Sequence, residues 1–320
     1  MPSTSKATIQ AVNQVIQEYS FRLTVRQIYY RLVSPPYQLW PNTLRSYKNL
    51  VSVLTTARER KDVDWRRIED RRRSTSGGES GANDPSEFLD SWEWRLENLE
   101  RFYTQNRWST QDKQVEVWVE KEALAALFEQ ATQDLGVVVF PTVGYSSLTS
   151  FMESVERFGR SDKEIIVLDF RDHDPSGVDM SRDVEDRLKL YARILGRPEV
   201  GDRLTVKRCA LTIEQVHAFN LAPNPTKKAD SRTAAYQTLY GNDCWELDAY
   251  PPDKLQELIQ EKVKAEIDME AWNKIEEETA KNRGRIKAAR ESAKDDIAAL
   301  IGRLREDTSA EDDDEESDGQ

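Results

Sequence analysis

Apolar residues recur at three- and four-residue steps from Ser5 to Tyr19, where Ile9, Val12, Val15, Ile16 and Tyr19 share one side and predict an amphipathic helix. Thr24 is a suitable N-cap for a second helix over Val25–Val33, and the three prolines of SPPYQLWPN then end helical structure. Asn42 or Thr43 opens a third helix. It is apolar at Leu44, Tyr47, Leu50, Val51, Leu54 and Ala57, and basic on its other side at Arg45, Lys48, Arg58 and Arg60. Three helices followed by the short segment DVDWRRIED predict a winged helix-turn-helix (CAP-like) fold, with a small helical bundle as the plainer alternative. The composition of STSGGESGANDPS, residues 74–86, is that of a linker. Beyond it, Leu89, Trp92, Leu96, Leu99 and Tyr103 predict a helix that docks on the following domain.

After residue 111 the period changes. The apolar runs VEVWVEK (115–121), VVVFP (137–141), EIIVLDF (164–170) and LTVKRCA (204–210) alternate with helical patterns over 122–135, 146–158, 178–195 and about 213–219. Nearly all-apolar strands alternating with helices predict an α/β fold with a parallel sheet covered on both faces. From about Tyr250 the pattern is helical again, and residues 270–305 are rich in Lys, Glu and Ala. The expected divisions are therefore 1–73, 74–110, 111–268, a C-terminal helix over 269–305, and an acidic, disordered tail over 306–320.

The net charge of −12 argues against a nucleic-acid partner until its distribution is considered. Nine acidic residues and no basic one lie in 306–320, whereas residues 1–75 hold fourteen Lys and Arg against six Asp and Glu. Phosphates respond to the local potential, so a basic N-terminal region is compatible with DNA. Two cysteines and two histidines are too few for a disulfide framework or a zinc cluster, and no stretch has the apolar length of a membrane span. A cytoplasmic, nucleoid-associated protein is expected.

In an open parallel sheet, ligands bind beyond the carboxyl ends of the strands. Here one strand ends in Glu120 and another runs into RDHDPSG, with Asp172 and Asp174 in the loop. Three carboxylates converging on one point need cations, and oxygen-only ligation suits Mg²⁺. The alternative is that Asp174-Pro-Ser-Gly caps the next helix. Asp169, Asp179 and Glu122 are nearby reserves, while Glu246 and Asp248 of WELDAY read as structural. In NPTKKADSR, Lys227, Lys228 and Arg232 are candidate phosphate contacts or a solvated loop. At about 100° per residue, Val25, Ile28, Tyr29 and Leu32 form the packed face of the second helix. Tyr30 points about 120° from the centre of that face, beside Arg26, so Tyr29 reads as core and Tyr30 as a presented hydroxyl next to a cation.

These residues carry a resemblance. VEKEAL with LDFRDHDPSG resembles the Toprim domain of topoisomerases, DnaG-type primases and several nucleases. TVRQIYYRLV resembles the tyrosine-bearing winged-helix motif of the topoisomerase VI A subunit and its meiotic double-strand-break relative. LTVRQIYYRLV, NTLRSYKNLV, VWVEKEAL, DHDPSG, LTIEQV, NPTKKADSR and WELDAYPP together are most similar to the stand-alone topoisomerase mini-A type, over about residues 10–265. The resemblance implies Tyr30 as nucleophile and Glu120, Asp172 and Asp174 as Mg²⁺ ligands; Arg26, by its position beside Tyr30, can hold the phosphate and favour the phenolate. The resemblance also implies a homodimer on double-stranded DNA, cleavage of both strands through a 5′-phosphotyrosyl link, and strand passage only with a separate GHKL-type ATPase subunit. A Toprim nuclease using water and a non-catalytic DNA-binding protein remain the alternatives.

Overall fold

The structure is a computed structural model that describes residues 3–69, 81–142, 148–225 and 232–309. The chain forms two compact units, one from residues 1–74 and 112–267, the other from 75–111 and 268–320. The segments expected as separate domains, 1–73 and 111–268, thus share one unit.

The first unit opens with α1 (Ser3–Gln17), β1 (Leu23–Thr24), α2 (Val25–Val33), α3 (Leu44–Glu59) and β2 (Ile68–Glu69). Thr24 begins α2 through a capping box with Gln27, and Thr43 caps α3 by accepting from Ser46 N. Helices α1, α2 and α3 pack on one another through Val12, Val15, Ile28, Leu32, Leu50 and Leu54, all buried. The stripe expected on α3 is narrower than its sequence suggests: Leu44 and Val51 are exposed, leaving Leu50, Leu54 and Ala57 inside. Strands β1 and β2 pair in parallel.

Helices α4 (Pro85–Glu97) and α5 (Leu99–Phe102) belong to the second unit. The first unit resumes with β3 (Lys113–Val119), α6 (Ala125–Thr132), β4 (Val138–Pro141), α7 (Leu148–Phe158), β5 (Glu164–Phe170), α8 (Pro175–Ile194), α9 (Pro198–Asp202) and β6 (Leu204–Ala210). It continues with α10 (Ile213–Ala218), β7 (Asn224–Pro225), α11 (Thr233–Tyr240), β8 (Asp243–Cys244) and α12 (Pro252–Lys264). The fold is mixed α/β, with a parallel four-stranded sheet ordered β4-β3-β5-β6. Alternate residues face opposite sides. Trp118, Ile165 and Val167 pack with Phe151, Val155, Phe158, Val184 and Leu188 of α7 and α8. On the other face Phe128 of α6 meets Phe170 edge-on, and α12 lies against α6. The chain leaves β3 for β4 on one side and returns to β5 on the other, so the strand order reverses between β3 and β5.

Glu266, just after α12, ties two strands of this sheet by accepting from Lys113 Nζ at 2.8 Å and Lys207 Nζ at 2.5 Å. Burial alone would raise its pKa, but the two ammonium groups outweigh burial and hold it below the ordinary 4.5. A depressed carboxylate contributes stability above its unfolded pKa and loses it as pH falls through the folded one. Glu266→Gln should therefore cost about 1–3 kcal/mol near neutral pH. In urea unfolding the gap from wild type should close well below pH 4.5; an equal gap at both pH values would contradict the ion-paired role.

In the second unit, α13 (Met269–Ser292) packs on α5 and α14 (Lys294–Ser309) on α4. Arg305 joins Asp90 at 2.5 Å and Glu93 at 2.6 Å, and Trp108 meets Trp272 edge-on. Two expectations are corrected here. The helix over 85–97 has the C-terminal helix as its partner, and only Leu89 of its expected apolar face is buried. The expected single helix over 269–305 is two helices, broken at Ala293, and helical structure runs to Ser309, four residues into the segment expected to be tail. Among the described residues no helix is long and apolar enough to cross a membrane.

Candidate functional site

The strand order reverses between β3 and β5, and open parallel sheets bind ligands beyond the carboxyl ends of the strands at such a point. Glu120 follows β3 and Asp172 follows β5, and the two are joined directly: Asp172 N donates to Glu120 Oε2 at 3.2 Å. Asp172 is buried, its Oδ1 accepting from Leu247 N at 2.8 Å and its Oδ2 lying 3.1 Å from Lys121 Nζ. Lys121 also meets Asp248 Oδ2 at 2.6 Å and Glu246 Oε2 at 3.4 Å. One ammonium is thus shared by three carboxylates. The acids more than offset its burial and hold the Lys121 charge well above the ordinary lysine value. Asp172 moves upward from the usual carboxylate range, pushed by burial and by Glu120 and Asp248 against the pull of Lys121.

Asp174 behaves differently. Its Oδ1 accepts from Gly177 N and from Ser176 Oγ, both at 2.7 Å, capping α8, whose first turn carries Pro175. Gly177 is required there, because a Cβ would collide with the Asp172 carbonyl oxygen. Of the two expectations for Asp174-Pro-Ser-Gly, the structure shows the helix cap. Between Asp172 and Asp174, His173 is held in an aromatic box. Its backbone pairs with Trp245 in both directions, at 2.8 and 2.9 Å, and its Nδ1 lies 2.7 Å from Tyr236 Oη. Burial pushes the His173 pKa down to about 4, so the ring is neutral at pH 7.

Two of the three reserves are engaged by arginines. Asp169 holds Arg171, Asp179 pairs with Arg182, and Glu122 lies in the 3₁₀ turn before α6. Among the described residues no three His, Cys, Asp or Glu side chains are grouped so as to hold a metal ion. The oxygen-only donors suit Mg²⁺ in kind, but their arrangement does not: Asp174 is turned to its helix and Lys121 stands where a cation would neutralise Asp172.

Tyr30 carries the largest correction. Expected at the surface, it is 2% exposed, as is Tyr29. Helix α2 is covered on two sides, by α1 and α3 on one and by the 3₁₀ turn Leu247–Ala249 on the other, so the face opposite its expected core is also buried. Tyr30 Oη accepts from Asn224 Nδ2 at 2.6 Å. Burial and the nearby Glu246 charge push its pKa well above the ordinary phenol, against Asn224, Arg26 and Lys121. Arg26 is not free beside it. Its Nε and Nη2 donate to Glu246 at 2.7 and 2.5 Å, and its guanidinium lies 4.6 Å from the centre of the Tyr47 ring.

Of the expected DNA contacts, Arg45, Lys48 and Arg60 are exposed and make no ion pair with any described residue. Arg58 is half-buried and donates to the Leu54 carbonyl. Arg232 is 3.7 Å from Asp179, and Lys227 and Lys228 lie outside the described residues. Sequence reasoning missed Lys121, Asn224 and Asn42, and read Glu246 and Asp248 as structural. Lys121, wedged between Glu120 and Glu122 at a strand end, was the one local signal available. Compared with known proteins, the sequence matches no family model and no curated protein.

Proposed function

We propose that this chain cleaves double-stranded DNA by transesterification, with Tyr30 as the attacking residue, in the manner of the topoisomerase VI A-like proteins its motifs resemble. In this reading α1 to α3 with β1 and β2 serve as the winged helix, and the four-stranded sheet with its acidic strand ends serves as the Toprim domain. The observation that carries it is the meeting of Tyr30 and Arg26, from near the start of the chain, with Lys121, Asn224 and Glu246 from distant segments, at the end of the sheet where the strand order reverses between β3 and β5.

The chemistry balances without an outside energy source. Tyr30 Oη bonds to phosphorus, the bond from phosphorus to the 3′ oxygen breaks, the phenolic proton passes to solvent and the leaving oxygen takes one up. One phosphodiester is exchanged for another. Arg26 presents a fork suited to two phosphate oxygens, and Lys121 adds a second positive charge near the developing negative one. Mg²⁺ enters only as an additive in the cleavage assay. A homodimer would supply one tyrosine per strand, and a separate GHKL-type ATPase would be needed for strand passage.

The burial of Tyr30 favours a second reading, a nuclease in which water cuts and Tyr30 is structural. Incubation of the full chain with end-labelled duplex, with and without Mg²⁺, followed by denaturing electrophoresis separates them. Protein-linked 5′ ends and free 3′-hydroxyls are expected. Cut DNA without linked protein supports hydrolysis, and intact DNA under every condition leaves a non-catalytic DNA-binding protein.

A further inference from the structure

A phosphodiester has no path to a hydroxyl whose residue is 2% exposed, so what encloses Tyr30 decides when it acts. Polar contacts close it in, and they run from α2 and from Asn42, just before α3, to Pro223, Asn224 and Glu246. Asn224 Nδ2 donates to Tyr30 Oη at 2.6 Å. Asn42 Nδ2 donates to the Pro223 carbonyl at 2.7 Å and to Asn224 Oδ1 at 3.2 Å, and Asn42 Oδ1 accepts from Tyr29 Oη at 2.9 Å. The two tyrosines are therefore joined through a Tyr29–Asn42–Asn224–Tyr30 relay. Glu246 meets the Arg26 fork with both carboxylate oxygens, the geometry in which Arg also meets a phosphate.

The frame around these side chains is fixed. The backbone of Trp245 is paired with His173, so Glu246 can release Arg26 by a side-chain swing, with Lys121 as the cation that keeps it. Hydrogen bonds of this kind exchange with water at small net change, as a reversible contact requires. We propose that Asn224 and Glu246 form a latch that keeps Tyr30 closed in the DNA-free chain, and that a phosphate opens it by taking Arg26 from Glu246. Its bearing on catalysis rests on the reading of Tyr30 as the attacking residue, but the latch itself is measurable without DNA.

Tetranitromethane modifies accessible tyrosines, and mass spectrometry reads each site. In the full wild-type chain, nitration of Tyr30 should be at least about tenfold slower than that of Tyr191, which is half-buried on α8. Glu246→Gln and Asn224→Ala should each raise the Tyr30 rate about tenfold with Tyr191 unchanged. Inorganic phosphate should raise it in the wild type beyond chloride of equal ionic strength, an arm that does not depend on any variant folding. Rapid nitration of Tyr30 in the untreated chain, or protection unchanged in both variants, overturns the latch, and indifference to phosphate overturns its trigger. Tyr30 protected in the wild type and exposed in both variants, with no covalent DNA adduct from any of the three chains, would leave the latch standing and remove the transesterase reading. Adduct from wild type with Tyr30 equally protected in every variant would do the reverse.

Discussion

Tyr30→Phe should form no covalent link to DNA, a loss of roughly 10³-fold or more, while Tyr29→Phe goes on forming it. The two substitutions each remove one oxygen from adjacent, equally buried rings that meet edge-on with centroids 5.6 Å apart. Stability alone does not separate them. Tyr30→Phe leaves Asn224 Nδ2 without its acceptor. Tyr29→Phe removes a hydroxyl that accepts from Thr43 N at 2.9 Å and lies 2.9 Å from both Asn42 Oδ1 and the Thr43 carbonyl. Either loss is about 1–2 kcal/mol. The difference is chemical: the Arg26 charge reaches both rings, but only Tyr30 also lies by Glu246 and Lys121. In the adduct assay with both variants shown folded by thermal melting, a linked product from Tyr30→Phe but none from Tyr29→Phe would make Tyr29 the nucleophile. Linkage in both would remove the pair from the mechanism.

Asp169→Ala should be among the most destabilising single changes in the chain, at about 3–5 kcal/mol. Asp169 and Arg171 both have fully buried side chains, and Arg171 Nε donates to both carboxylate oxygens at 2.8 Å. Ser181 Oγ adds a 2.5 Å bond from α8, so the pair fastens the end of β5 to that helix. Without Asp169 a guanidinium would remain in the core, its Nη2 already without a hydrogen-bond partner among the described residues. Set against a typical total stability of about 5–15 kcal/mol, the loss is large. The double change Asp169→Leu with Arg171→Met removes both charges and should recover most of it, because well-packed apolar residues substitute for buried ion pairs. Urea unfolding of the three chains is the measurement. A single-variant loss below about 1 kcal/mol would mean the pair is hydrated rather than buried.

The sequence by itself determined the local elements. Val25–Val33, Glu164–Phe170 and Leu204–Ala210 have the bounds that their periodicity predicts. Period and capping are properties of neighbouring residues, legible without the fold: Thr24 acts as the N-cap expected of it, and of the two residues expected to open α3 it is Thr43 that caps. The parallel sheet was legible too, because strands buried on both faces are apolar at nearly every position. So was the placing of Glu120 and Asp172 at strand ends that lie side by side.

What only the tertiary structure decided is which side chains meet. Asn224 reaches Tyr30 across 194 residues and Glu246 reaches Arg26 across 220, and no local pattern encodes such partners. An angular argument on α2 assumes one buried face, and it failed for Tyr30 because a second layer, the turn Leu247–Ala249, covers the other. Asp174 was ambiguous in sequence for a physical reason: a carboxylate before Pro-Ser-Gly serves a cation or a helix N-terminus equally well. The fold resolves it toward Gly177 N. Lys121 shows the same limit, since a lysine at a strand end is an ordinary surface residue until three carboxylates from two distant segments close around it.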